Sequence, residues 1–474
     1  MIGKIWQTCR IPAAVLIALI PLAVMLLTGE RGFPSNESSL FLMHYNSDAS
    51  MLNLIFDPAR TDWGLYQARE LSYLIDCLDA RFIAWCIGHH AAHFLSLSSM
   101  IFFALTIFVQ QYFAAKCFPK ADWPTALLPS LVFSCACVSS DHCFFRSSKP
   151  AVTFLVTLLL FTVVDLVKNH RTFKKEKMVS LILAAAALLL MPMFDRQGFF
   201  FVGAFTVITA LTIAASGWKK CEKLLDLPET LTDLLQCLGV CGIAALMLST
   251  CWNIFIAPEI IMALNNYYPS FEYQQLPFGS CFNFSGGVRF FFRNIGFLFF
   301  PFFPKWSGIL GVAAVILSAG DIFFMEYRFR KPVLTVIFLL LVFFGICLGN
   351  LMTARHEMIL NDSVLFGAYF LPLLGIFTGF IAVLLGEFAE RRRSLLILLC
   401  VCATAGGIAL KCKLISPPNE SVDLQFFYKA SAQRVIEHLN RPDSEKQMPL
   451  TLTNSLMIDF FRSRQNKDRQ SAAR

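Results

Sequence analysis

Long apolar runs, separated by short connectors, dominate this chain and leave it few ways to fold. A stretch of that kind buries itself in lipid or in protein. Its backbone must then be hydrogen-bonded within the segment, which means a helix. Candidate spans run from Ile11 to Leu27, Ile83 to Phe108, Trp123 to Val138, Ala151 to Val167, Val179 to Met193, Phe199 to Ala215, Leu234 to Ile256, Ile309 to Phe324, Val333 to Leu351, Val364 to Leu385 and Leu395 to Leu410. That makes about eleven, several of them short by the usual length criterion. Of the 474 residues, 56% are hydrophobic and 15% charged, and mean hydropathy is +0.61, too apolar for a soluble globule of this size. The expected fold is an all-α polytopic integral membrane protein. The opening MIGKIWQTCR is short and basic and runs directly into the first apolar stretch, as in a signal peptide or signal anchor. No small-x-small cleavage site follows, so an uncleaved first span is expected.

The formal net charge is +8. The basic residues fall in short clusters between apolar runs, where they orient spans, and no nucleic-acid module is recognisable. Lys168 to Lys177, Trp218 to Lys223, Tyr327 to Lys331 and Arg391 to Arg393 are expected on the cytoplasmic side, and alternating the spans puts all of them with Lys4 and Arg10. The other side then receives Ser139 to Lys149, Phe194 to Gly198, Pro258 to Arg293, Met352 to Asp362 and the tail after Lys411. On this reading residues 1–412 are a transmembrane domain with an outer loop at 29–82, and residues 413–474 are a short non-cytoplasmic tail. The 16 cysteines lie mostly in or beside spans as small buried hydrophobes, and no C-x-x-C pair or Cys/His array marks a structural zinc site.

His44 to Phe82 is the first long polar segment. It collects Asp48, Asp57, Asp62, Asp76 and Asp79 with Arg60, Arg69 and Glu70 among Tyr45, Trp63, Tyr66 and Tyr73. From Gln67 to Asp79, Leu71, Leu74, Ile75 and Leu78 recur at helical spacing, so an amphipathic helix is expected to lie by its leucines on the membrane surface or on the bundle. The opposite face carries Arg69, Tyr73 and Asp76. Arg69 and Asp76 stand nearly two full turns apart, so both side chains point the same way.

Each candidate group has a duller role beside its chemical one. Asp48, in YNSDAS of the outer loop that follows the first span, could sit at the mouth of a bundle cavity or close a turn. Arg69, Tyr73 and Asp76 could bind a substrate or form the solvated face of their helix. Asp141, in SSDHCFFRSSKP, could face the same mouth or cap a turn. His89 and His93 are about one turn apart and could hold a divalent metal or a phosphate, or hydrogen-bond at the interface. Asp195 and Arg196 interrupt a helical pair near the membrane core, where charges are paired or functional. Arg289 and Arg293 are one helical turn apart in an aromatic stretch suited to a lipid phosphate or to interfacial anchoring. Arg355, between two late spans, can meet a phosphate or cap a helix.

A first span leading into a long loop with an acidic residue and an amphipathic helix, and then about ten more spans, resembles the GT-C superfamily of polytopic membrane glycosyltransferases. The likeness is architectural over most of the chain, with YNSDAS, RELSYLIDCLDARF and FDRQGFFF as local echoes. It implies a polyprenyl-phosphate-type sugar donor held in membrane lipid, an acceptor of unstated kind, and a site facing outward from a bacterial inner membrane. It also implies Asp48 as catalytic base and Arg289, Arg293 and Arg355 as phosphate contacts. The adjacent acidic pair of many members is absent, since Ser47 and Ala49 flank Asp48, so Asp57, Asp62, Asp76 and Asp141 remain rivals. Two other classes have many spans. A lipid-linked polysaccharide polymerase or ligase normally carries its large loop in the second half of the chain, and a transporter normally shows charges or broken helices near the midplane.

Overall fold

The computed structural model describes residues 11–21, 23, 32–34, 42–57, 65–66, 69–88, 97–118, 123–138, 147–168, 174–216, 229–271, 284–299, 303, 306, 308–313, 316–317, 320, 370–387, 390–411 and 429–431. Its helices are α1 (Ile11–Pro21), α2 (Met51–Ile55), α3 (Glu70–Gly88), α4 (Leu97–Cys117), α5 (Trp123–Val138), α6 (Ser148–Lys168), α7 (Lys174–Phe194), α8 (Arg196–Ser216), α9 (Glu229–Cys251), α10 (Ala257–Asn265), α11 (Phe284–Phe299), α12 (Leu371–Glu387) and α13 (Glu390–Lys411). A π-helical turn, Trp252–Ile256, joins α9 to α10. Four short strands complete the described elements. β1 (Gly32–Pro34) pairs antiparallel with β4 (Lys429–Ser431), and β2 (Leu65–Tyr66) pairs parallel with β3 (Ser270–Phe271).

Among the described residues five helices are long and apolar enough to cross a membrane: Leu97–Cys117, Ser148–Lys168, Lys177–Phe194, Arg196–Ala214 and Glu229–Asn265. Shorter apolar helices occupy Ile11–Pro21, Leu127–Ala136, Leu371–Gly386 and Leu396–Ala409, where further spans were expected. The count of about eleven is therefore not reached among these residues. The span expected at Val333 to Leu351 and half of the one at Ile309 to Phe324 lie outside them. The span expected from Ile83 to Phe108 is instead divided between the end of α3 and the start of α4.

Helix α6 is the axis of the bundle. It packs against α4, α7 and α12, and nearly all of its residues are buried. Close approach to α12 is possible because Gly375 and Gly379, four residues apart, face α6. A Cβ at Gly375 would stand 2.7 Å from Thr157 Oγ1. Without a hydrophobic drive between helices in lipid, such small residues let backbones approach and gain dispersion contacts. Helices α4, α5 and α12 are joined inside the bundle by polar side chains. Gln110 Nε2 donates to Thr378 Oγ1 at 2.8 Å, Gln111 Nε2 to Ser130 Oγ at 2.9 Å, and Ser130 Oγ to Gln110 Oε1 at 3.0 Å.

Helix α3 corrects the expected orientation of the loop helix. Its leucines do not form the anchoring face, because Leu78 is 53% exposed and forms an outward apolar stripe with Phe82 and Trp85. Leu71 and Ile75 pack partly on the core, and the fully buried side combines Arg69, Tyr73 and Asp76 with the small or apolar Cys77, Ala80 and Ile83. The spacing placed Arg69 and Asp76 on one face, as observed, but that face turns inward. The reason is that a charged face can be buried where opposite charges and hydroxyls await it, whereas an apolar stripe costs nothing when it faces hydrocarbon.

Candidate functional site

The site builds from the first loop. A helical turn at 42–45 leads into a bend that carries Asp48. Asn46 fixes its near end, its Nδ2 donating to the Leu42 carbonyl at 2.9 Å and to the Ala80 carbonyl of α3 at 3.1 Å. Ser47 Oγ donates back to the His44 carbonyl at 2.8 Å. Ser50 fixes the far end as the N-cap of α2, its Oγ accepting from Asn53 N at 3.2 Å, the usual way an orphan N–H of a first turn is satisfied. His44 Nε2 donates to the Leu54 carbonyl at 2.9 Å and closes the loop on itself. Between these ties Asp48 is exposed, and among the described residues it makes no hydrogen bond or ion pair.

The rival carboxylates among the described residues are engaged. Asp57 Oδ1 accepts from Tyr267 Oη at 2.7 Å. Asp76 Oδ1 accepts from Ser147 Oγ at 3.2 Å and Ser147 N at 3.4 Å, and its Oδ2 accepts from Ser72 Oγ at 3.4 Å. Asp79 accepts from the backbone and hydroxyl of Ser98 at the start of α4. Asp62 and Asp141 lie outside the described residues, as do His89, His93 and Arg355.

Arg69 and Tyr73 are brought together, Asp76 is tied separately on the same face, and Arg69 meets partners that lie far off in the sequence. Asp195, in the turn between α7 and α8, takes Lys149 Nζ on Oδ1 at 2.6 Å and Arg69 Nη1 on Oδ2 at 3.3 Å. The N–H of Gln197 also donates to Oδ1, at 2.9 Å. Arg69 Nε donates to Tyr73 Oη at 3.4 Å, and its guanidinium lies over the Tyr73 ring. Burial pushes the Asp195 carboxyl upward, but Lys149 and Arg69 outweigh it and hold the group at about 2 against an ordinary 3.8. Asp195 was legible as a charge that needs a partner. Lys149 was the missed member, and its signal was a lone cation immediately before a span.

A second segment docks on the first loop. Asn265 Nδ2 donates to the carbonyls of Asn53 at 3.2 Å and Phe56 at 2.7 Å, and Asn53 Nδ2 donates to the Leu264 carbonyl at 3.3 Å. Asn266 has φ 59°, the left-handed cap at which α10 ends and the chain turns toward Tyr267 and β3. The two connectors richest in polar and aromatic residues are thus one assembly. Arg289 and Arg293 follow on α11, which places them one turn apart as their spacing predicts. Arg289 is exposed and Arg293 half-buried. Among the described residues no group of three or more His, Cys, Asp or Glu side chains is placed to hold a metal ion.

Chemically, the described first loop offers an uncommitted carboxylate, Asp48, on a pinned turn, and elsewhere in the bundle two buried cations share the Asp195 carboxylate. Compared with known proteins, the chain matches no family model, no curated protein and no solved structure.

Proposed function

We propose that this chain is a multi-pass membrane glycosyltransferase of the GT-C kind, which moves a sugar from a polyprenyl-phosphate-type lipid to an acceptor on the non-cytoplasmic face. The observation that carries the reading is the state of Asp48. Of the described carboxylates singled out in the first loop as candidate bases, it alone is exposed and uncommitted, and the turn that bears it is fixed at both ends. A general base must reach a proton on the acceptor and must not spend its oxygens on structural ties. Asp48 then takes the acceptor hydroxyl proton as that oxygen bonds to the anomeric carbon. The bond from that carbon to the phosphate oxygen breaks, and the polyprenyl phosphate leaves with the electron pair. Arg289, Arg293 and Arg355 are the cations assigned to steady that phosphate by charge-assisted hydrogen bonds. Arg69, Tyr73 and Asp76 contribute by holding α3.

The test is transfer by the full chain in liposomes containing polyprenyl-phosphate sugars. Asp48→Asn is expected to lower the rate by roughly 100-fold or more, with donor binding unchanged, because the charge and most of the basicity go while the shape stays. Normal turnover by that variant moves the base to Asp62 or Asp141. If the wild type transfers no lipid-linked sugar but carries one across the bilayer, the transporter reading replaces this one.

A further inference from the structure

We infer that Asp195 is a positioning residue for the Asp48 turn, acting through Arg69 and helix α3; the inference rests on the reading of Asp48 as the base. Asp195 is held from its own side by Gln197 N and from the bundle axis by Lys149, in the first turn of α6. Its remaining oxygen reaches Arg69, the residue immediately before α3. Nearly two turns further along, Asp76 is tied to Ser147, immediately before α6. Two anchors so spaced on one face fix both the position of α3 and its rotation about its own axis. That rotation presents the Ala80 carbonyl to Asn46, whose side chain begins the Asp48 turn. The path from Asp195 to Asp48 therefore runs through consecutive, directly bonded groups. Neutralising Asp195 takes the shared counter-ion from two buried cations, and the tie that is lost between α3 and the bundle axis is the one Arg69 makes, because Lys149 itself belongs to that axis.

Hydrogen exchange of the full-length protein in lipid nanodiscs, read peptide by peptide, tests this without turnover. Asp195→Asn is expected to speed exchange roughly tenfold or more across 42–57 and 70–80, with α4 and α6 unchanged. Asp195→Glu, which keeps the charge, should restore most of the protection. Unchanged exchange at 42–57 overturns the inference, and so does an equal rise through α4 and α6, which would make Asp195 a determinant of the whole bundle. Where Asp195→Asn does not fold, Arg69→Gln removes only the loop-side arm and should loosen the same two segments, and no loosening there overturns the inference equally. In the transfer assay the Asp195→Asn variant should lose kcat with KM unchanged, and a raised KM at constant kcat would contradict positioning. A wild type inactive on every lipid-linked sugar refutes Asp48 as base while leaving the exchange result standing.

Discussion

Asp195 and Asp48 divide the labour of the carboxylates at the residue scale. Asp195 is buried and doubly paired, so losing its charge strands two cations, a defect that costs about 3–5 kcal/mol in a buried pair. Its folded-state carboxyl is depressed, so the stabilisation is present above the unfolded value of 3.8 and is lost as pH falls toward about 2. That depression corresponds to on the order of 2 kcal/mol. Acidification from pH 5 to pH 2.5 should therefore lower the melting temperature of the wild type more than that of Asp195→Asn, which has already lost the interaction. Equal losses in the two proteins would mean that the triad contributes no pH-dependent stability. The Arg69–Asp195 tie was not legible in the sequence. Both residues stood out as charges in an apolar chain, but nothing in local spacing links positions so far apart.

Helical periodicity, at the scale of elements, located most helices and grouped side chains by face, as with Arg69 and Asp76 or Arg289 and Arg293. It did not say which face of α3 turns inward. Amphipathicity assigns the apolar side to the core in water, but beside lipid the same stripe of Leu78, Phe82 and Trp85 can face out. GIFTG in α12 carries the small-xxx-small spacing of close helix pairs, but only the fold shows that its partner is α6. Gly375→Leu should destabilise the bundle by about 1–3 kcal/mol through overpacking against Thr153 and Thr157. Gly203→Ala, in α8, meets nothing within 4 Å and should be neutral or stabilising by about 0.5–1 kcal/mol. Thermal unfolding in detergent compares them. If Gly375→Leu melts with the wild type, close packing of α6 on α12 is wrong.

The two ends of α6 sort the charges of the whole molecule. Its first turn gathers Arg69, Lys149 and Asp195, while near its other end, about 24 Å along the axis from Lys149 to Asp165, Lys116 and Ser180 meet Asp165 at 2.7 and 2.6 Å. Lys168 lies there over the Phe118 ring at 3.8 Å. Alternating the spans by their basic connectors had grouped the same segments. The described parts of the first loop, residues 147–149 and residues 194–198 meet at one end, and β1 of the first loop pairs with β4 of the tail. For these described segments the grouping agrees with the alternation of short spans, each of which reverses the side of the chain. That alternation could not supply the docking of residues 257–271 on the first loop, which depends on amide side chains meeting carbonyls across the fold. In the proposed function the end bearing Asp48 receives a lipid-linked sugar. An experimental structure of the full chain with a non-transferable polyprenyl-phosphate sugar in nanodiscs tests this most directly. The expected density puts the phosphate within hydrogen-bonding distance of Arg289 or Arg293 with the sugar reaching toward Asp48, whereas a phosphate bound at the Lys116–Asp165 end of the bundle would contradict it.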